Sequence, residues 1–361
     1  MSAQTKVAVI GAGSWGTTVA NVSAHNQPTM IWAREAEVVD GINTRHENPL
    51  FLPDVRLQDQ LTASNDLGEV LDGVDLVVVG VPSQFYRAVL SSAPKGAIQP
   101  GLPVLNLSKG IEQGSFKTMT KVLNDVLEQH DLNDVGVLAG PNIAKEVAAG
   151  EPSLSVVAFP DIEVANRLLP LFHTATFKVY SSADVIGCEI AGAVKNVLAL
   201  AAGMADGLGY GANTKAALIS RGLAEMTRLG LKIGGRLTTF LGLAGNGDLI
   251  ATCSSTSSRN YHVGRQLGHG RTLSDIMAEM TMVAEGVKSC RGLLELAKAE
   301  GVEMPIAEEV GKVLSDGKSA HQGVIDLMAR PPMVEAETFG LVEAGVRITH
   351  AGRPGVPERT G

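Results

Sequence analysis

A parallel α/β domain followed by an all-helical domain is the fold class this sequence predicts, and three observations carry the prediction. The first is the opening run Lys6-Val7-Ala8-Val9-Ile10-Gly11-Ala12-Gly13-Ser14-Trp15-Gly16, a β-branched strand that breaks into G-x-G-x-x-G. The second is the alternation of short strand-like runs with helix-like ones from residue 6 to about 180. The third is where that alternation stops. Beyond Gly187 the chain becomes long Ala/Leu/Gly/Met-rich segments, such as Glu189–Ala205 and Lys215–Leu229, with apolar residues at helical intervals. The expected architecture is an α/β protein with a Rossmann-type parallel sheet over residues 1–186 and an all-α domain over residues 187–346. Residues 347–361, which include Thr349-His350-Ala351-Gly352-Arg353-Pro354-Gly355, read as a flexible tail.

The strand-like runs are Val7–Ile10, Thr29–Ala33, Asp75–Val81, Pro103–Leu107, Val135–Ala139 and Ser153–Ala158, which together predict an open parallel sheet. At the first of them the glycine spacing has a chemical reading. Gly11 permits the tight turn, Gly13 lets backbone approach a pyrophosphate, and Gly16 lets the next helix pack closely on the sheet. A helix starting near Ser14, through Thr17-Thr18-Val19-Ala20-Asn21-Val22, would aim its free N–H groups and positive dipole end at the phosphates. In a chain with 41 glycines the motif alone is weak; the strand before it and the helix after it make it a dinucleotide site.

Composition bounds the function classes. A length of 361 residues and 45% hydrophobic content suit two ordinary domains. The net charge of −8 leaves no basic surface for a nucleic acid backbone, so an anionic ligand must be held by a few local basic residues. Cys188, Cys253 and Cys290 are odd in number and lack C-x-x-C spacing, which argues against a disulfide framework or a zinc cluster, and no metal site is expected. No uninterrupted apolar stretch of bilayer length and no signal-peptide pattern stand out, so a soluble, cytoplasmic protein is expected.

The chemistry should come from the helical half, facing the sheet domain across a cleft. Lys195 lies on an otherwise largely uncharged segment, with Ala191, Gly192, Leu198 and Ala199 one turn away. Two readings fit it: a lysine snorkelling from a helix face, or a desolvated lysine whose lowered pKa allows proton exchange near neutrality. Lys109 ends the Pro103–Leu107 strand region at the sheet edge where ligands bind, and Gly140-Pro141-Asn142 has the same placement after the next strand. Asn142 would either cap the following helix or donate to a ligand oxygen. In Gly245-Asn246-Gly247-Asp248 the turn explains the glycines, while Asp248 could pair with a lysine. Ser257-Ser258-Arg259-Asn260 is either an exposed polar loop or a set of donors suited to a phosphate dianion. After the second strand, Arg34 stands where an arginine accommodates the 2′-phosphate of NADP, followed by Glu35.

In order along the chain, Gly11–Gly16, Asn106-Leu107-Ser108-Lys109-Gly110-Ile111-Glu112, Gly140-Pro141-Asn142-Ile143-Ala144-Lys145-Glu146-Val147, Lys195-Asn196-Val197, Gly245–Leu249 and Ser258-Arg259-Asn260 resemble bacterial NAD(P)-dependent glycerol-3-phosphate dehydrogenase, from residue 6 to about 345. Asn142 departs from the bacterial pattern, where a serine is common; eukaryotic NAD-linked relatives use asparagine. The resemblance implies interconversion of dihydroxyacetone phosphate and sn-glycerol 3-phosphate, feeding phospholipid synthesis, with NADP or NAD as cofactor and a homodimeric assembly; Arg34 makes NADPH the expected preference. It makes Lys195 the proton-transfer residue. Lys109, Gly140, Asn142, Asp248, Ser258, Arg259 and Asn260 would line the substrate site. Gly11, Gly13, Ser14, Trp15, Gly16, Arg34, Lys109, Ala144, Arg259, Val283 and Glu285 would hold the cofactor. Competing readings are another dehydrogenase with a helical second domain or a catalytically silent NAD(P)-sensing protein. A 3-hydroxyacyl-CoA enzyme would need a His-Glu pair, for which His173 is a poor candidate. A silent protein would be expected to lose Lys195 or Arg259, and both are present.

Overall fold

A computed structural model describes residues 5–127, 130–280, 284–332 and 335–339. The expected tail and Val283 lie outside these residues. The first half forms one sheet of eight strands in the order β3-β2-β1-β4-β5-β6-β7-β8. The strands are β1 (Val7–Ile10), β2 (Thr29–Trp32), β3 (Leu61–Ser64), β4 (Leu76–Val79), β5 (Val104–Asn106), β6 (Val135–Ala139), β7 (Ser153–Ala158) and β8 (Phe177–Ser182). Apolar clusters cover both faces. Val7, Val9, Ile31 and Val78 pack to one side, and Ala8, Ile10, Val77 and Val79 to the other. Burial on both faces explains why β1 and β4 are continuous apolar runs, Val-Ala-Val-Ile and Leu-Val-Val-Val.

Two features depart from the expected sheet. Strands β3 and β8 were not among the expected runs. Leu61-Thr62-Ala63-Ser64 carries one large apolar residue, and it is a strand because it pairs in parallel with β2 along its whole length. The second departure is direction: β7 runs antiparallel to β6, so the sheet is not wholly parallel. Its connection holds only the five-residue helix Ala144–Ala148, and β8 then continues parallel to β7. At Gly136 in β6 a β-carbon would lie 2.4 Å from the Phe159 ring, so only a glycine admits the chain leaving β7.

After β8 ends at Ser182, the central helix opens at Val185 and runs to Gly207. Asp184 caps it, accepting from the Gly187 N–H at 2.9 Å, and its other oxygen accepts from the Arg236 N–H at 2.8 Å. By length and apolarity this helix could cross a bilayer, contrary to the expectation that no stretch would; 89% of its most apolar window is buried inside the protein. It forms the axis of the helical core with Met226, Leu229, Phe240, Val263 and Leu293.

Four glycines set its closest crossing, against the helix Arg259–Gly268. A β-carbon at Gly203 would lie 2.1 Å from the Tyr261 carbonyl oxygen, and one at Gly207 2.2 Å from that of Arg265. Reciprocally, one at Gly264 would lie 2.0 Å from the Leu200 oxygen and one at Gly268 2.4 Å from the Met204 oxygen. Backbones that approach this closely leave no room for a methyl group.

Candidate active site

Lys195 rises from the middle of the central helix and meets two residues distant in sequence. Its Nζ lies 2.8 Å from Asp248 Oδ1, and Lys109 Nζ lies 2.7 Å from Asp248 Oδ2. One buried carboxylate is thus shared by two ammonium groups. Lys109 projects from the C-terminal edge of the sheet, and its Nζ also donates to the Gly140 carbonyl at 3.4 Å. Asp248 begins the helix Asp248–Ser254 directly after the wide turn Leu243–Gly247, where the helix dipole favours an anion. The turn needs glycine: at Gly245 a β-carbon would lie 2.2 Å from the Phe240 oxygen.

Sequence reasoning missed Thr252, one turn beyond Asp248. Its hydroxyl accepts from Lys195 Nζ at 2.7 Å and donates to Asp248 Oδ1 at 3.2 Å, closing a ring of three groups. The i, i+4 spacing from Asp248 was a signal that could have found it. Asn196 was also missed as a site residue; its amide donates to the Lys109 carbonyl at 3.4 Å.

Burial dominates the electrostatics. It lowers the Lys195 pKa to about 8, the nearby Lys109 charge adding to the effect and Asp248 opposing it. Burial works to raise the Asp248 pKa, but the two lysines outweigh it and hold the carboxyl below its ordinary range. Lys195 therefore has both protonation states within reach near neutral pH, beside a carboxylate that stays charged.

Around this centre the other expected residues take varied positions. Gly140 has φ +143°, and a β-carbon on it would lie 3.1 Å from the Leu154 oxygen. Asn142 does not cap the next helix, since Ile143 occupies the N-cap position. Its amide instead donates to the Leu154 carbonyl at 3.2 Å and accepts from the Ser155 hydroxyl at 2.9 Å. Ser258 caps the helix Arg259–Gly268 by accepting from the Tyr261 N–H at 3.3 Å. Asn260 is buried, donating to Asn196 Oδ1 at 3.0 Å and accepting from the Gly286 N–H at 2.9 Å. Arg259 is exposed by surface area and makes no hydrogen bond with any described residue, yet surrounding protein lowers its pKa by desolvation, opposed by the charge of Glu285.

The glycine turn fits a dinucleotide on two counts. The space beside the Gly13 α-carbon is open, with no atom within 4 Å of where a β-carbon would stand, whereas at Gly16 a β-carbon would lie 2.0 Å from the Gly11 oxygen. In addition the Trp15 indole N–H is buried with no hydrogen-bond partner among the described residues, a donor awaiting an acceptor. Ser14 donates from its hydroxyl to the Phe51 carbonyl at 2.6 Å. Arg34 follows β2, its side chain 80% exposed and forked onto Glu35 at 2.6 and 3.0 Å. The Ala144 carbonyl accepts from Thr18 at 3.2 Å, joining its short helix to the first nucleotide-domain helix. Glu285 opens the helix Glu285–Ala299 and accepts from the Ser83 N–H at 3.2 Å and from its hydroxyl. Burial raises its pKa.

Comparison with known proteins decides the family. Residues 6–165 match the family model for the NAD-dependent glycerol-3-phosphate dehydrogenase N-terminus, and residues 184–325 match that for its C-terminus. The chain belongs to this family. It is 50% identical over 315 residues to glycerol-3-phosphate dehydrogenase [NAD(P)+] 2 of Sphingopyxis alaskensis, covering 87% of this chain and 93% of that protein. It is 48% identical to glycerol-3-phosphate dehydrogenase [NAD(P)+] of Thermobifida fusca, covering 93% of this chain and all of the other. Among solved structures, glycerol-3-phosphate dehydrogenase of Coxiella burnetii superposes with a TM-score of 0.85 at 34% identity, covering 91% of this chain and 99% of that one.

Proteins of this family take NAD or NADP as cofactor. Cys188, Cys253 and Cys290 are buried free thiols, their pKa values pushed up by burial.

Proposed function

We propose that this protein interconverts dihydroxyacetone phosphate and sn-glycerol 3-phosphate, with NAD(P)(H) as hydride carrier and Lys195 as the proton-transfer group. The observation that carries the reading is the Lys109–Asp248–Lys195 centre, built at the C-terminal edge of the sheet from both halves of the chain. Bound NAD(P)H supplies the hydride to C2 of the ketone. Lys195, held by Asp248 and Thr252, stabilises charge developing on the C2 oxygen and then protonates it; in oxidation it accepts that proton. Lys109 faces both cofactor and substrate, and Gly140 and Asn142 line the substrate cavity. Ser258, Arg259 and Asn260 take the phosphate end. Gly11, Gly13, Ser14, Trp15, Gly16, Ala144, Val283 and Glu285 complete the cofactor site. The product supplies the glycerol backbone for phospholipids, and the protein works as a cytoplasmic homodimer, the assembly being checked by sedimentation.

The direct test follows NADH and NADPH absorbance with dihydroxyacetone phosphate, unphosphorylated dihydroxyacetone and a panel of other carbonyl compounds. Turnover confined to the phosphorylated ketone supports the reading, and equal turnover of the unphosphorylated analogue overturns it.

The pH dependence follows from Lys195. As the acid in ketone reduction it must be protonated, so reductive kcat/KM should fall as pH rises through about 8. As the base in oxidation it must be neutral, so the oxidative rate should rise through the same region. Opposite limbs in the two directions, measured by initial rates from pH 6 to pH 10, are the expected outcome.

Cofactor preference is assigned to Arg34. Its pairing with Glu35 is exposed, and such a pair contributes about 0–1 kcal/mol, little enough for a 2′-phosphate to draw the guanidinium away. Arg34→Ala should raise the NADPH KM roughly tenfold while leaving that for NADH within about twofold, reflecting one lost charged hydrogen bond. Equal losses for the two cofactors would remove Arg34 from this role.

A further inference from the structure

The stretch that carries Lys109 begins in the sheet domain but is bound to the central helix along one face of that helix. Glu189, Gly192 and Asn196, spaced i, i+3 and i+7, make the contacts. The Lys109 methylenes lie over Gly192, where a β-carbon would stand 3.2 Å from Lys109 Cγ. Asn196 donates to the Lys109 carbonyl. Between these points Ile111 is buried in the core of the helical domain rather than in that of the sheet.

Glu189 holds the far end. Its Oε1 accepts from the Thr120 backbone N–H at 2.8 Å and its Oε2 from the Thr120 hydroxyl at 2.5 Å. Thr120 lies in the first turn of the helix Met119–Val126, whose own N-cap residue, Thr118, makes no side-chain capping bond. The cap is supplied instead by a carboxylate from the catalytic helix of the other half of the chain.

Packing gives no reason for an acid here. Glu189 is buried, and burial raises its pKa against the opposing contacts of Thr120 and Thr118 and the charge of Lys121. It also lies within electrostatic reach of Cys188 and of Tyr86, whose hydroxyl is buried without a partner among the described residues. A buried carboxylate is destabilising unless its hydrogen bonds are used.

We propose that Glu189 is a positioning residue, which anchors the Lys109 stretch to the central helix so that Lys109 stays on Asp248 and the electrostatic setting of Lys195 is maintained. The inference rests on Lys195 being the proton-transfer group. The charged and titratable groups acting on Lys195 are Asp248, Lys109 and Cys253. If Lys109 recedes, a like charge leaves and Asp248 is freed to pair with Lys195 alone. Both changes favour protonated Lys195, so the pH at which it titrates moves upward.

The test is the pH profile of ketone reduction by the full-length protein carrying Glu189→Ala, Glu189→Gln or Thr120→Val. Glu189→Ala should move the alkaline limb up by roughly half to one pH unit and lower kcat about tenfold. Glu189→Gln should restore both, because its amide oxygen can accept the Thr120 N–H and its amide nitrogen can donate to the hydroxyl oxygen. Thr120→Val, which removes only the hydroxyl contact, should shift the limb in the same direction by less, and it carries the test if Glu189→Ala does not fold. Asp161→Ala, which strips the cap from the distant helix Ile162–Phe172, serves as the control that lowers Tm without moving the limb. A Glu189→Ala or Thr120→Val protein with lowered Tm but an unmoved limb would overturn the proposal and leave Glu189 a structural cap. A wild-type profile with no limb near pH 8 would instead count against Lys195, a separate failure.

Discussion

Lys195→Met is expected to lower kcat for ketone reduction by roughly two to four orders of magnitude, because in the proposed mechanism one side chain supplies both the proton and the charge facing the developing oxyanion. The protein should still fold. Methionine keeps an unbranched stem in the buried channel of the central helix, and Asp248 keeps Lys109 at 2.7 Å and Thr252 at 3.2 Å as partners, so no carboxylate is left buried and alone. NADPH binding, followed by quenching of tryptophan fluorescence, should be close to wild type, since the glycine turn proposed to receive the pyrophosphate belongs to the sheet. The remaining slow reduction should also lose its alkaline limb. Nearly normal turnover in this variant would leave Lys195 as a buried structural partner of Asp248 and nothing more.

Arg259→Ala is expected to lower kcat/KM for dihydroxyacetone phosphate by a comparable factor. Hydrogen bonds between charged groups contribute about 1.5–3 kcal/mol each, so losing a two-pronged grip on phosphate costs roughly two to four orders of magnitude. The structure gives this residue an unusual freedom: it is exposed at the head of the helix Arg259–Gly268 and makes no hydrogen bond with any described residue. Arg259→Lys should recover only part of the loss, because an ammonium cannot copy the fork of a guanidinium. Comparing dihydroxyacetone phosphate with dihydroxyacetone in wild type and mutant isolates the phosphate contribution. If the preference for the phosphorylated ketone survives intact in Arg259→Ala, the phosphate is held elsewhere. Lys109, the next candidate, is already engaged with Asp248.

The local chemistry of the chain was readable at Gly11–Gly16, where strand, turn and helix follow one another within a few residues, Gly11 and Gly16 answer steric demands visible in the backbone, and Gly13 leaves open space. The change from strand-like to helix-like periodicity was equally readable, because side-chain spacing reports which face an element buries. Asn142 shows the limit of such reasoning. Next to a helix start an asparagine reads equally as a cap or as a donor, and only the proximity of Leu154 and Ser155, brought alongside by β7, shows that its amide is taken up by a strand.

By itself, then, the sequence determined six of the eight strands, the strand–turn–helix order around Gly11–Gly16 and the identity of the chemically distinctive side chains, since these depend on residues adjacent along the chain. Tertiary structure alone decided the strand status of Leu61–Ser64, the reversed direction of β7, and the meeting of Lys109, Lys195, Asp248 and Thr252 at one point. Strand pairing and side-chain convergence join residues many tens of positions apart, and no local period records which distant partner a side chain will reach. The shift of the Lys195 pKa to about 8 has the same origin: it arises from burial that exists only once the chain has folded around the lysine.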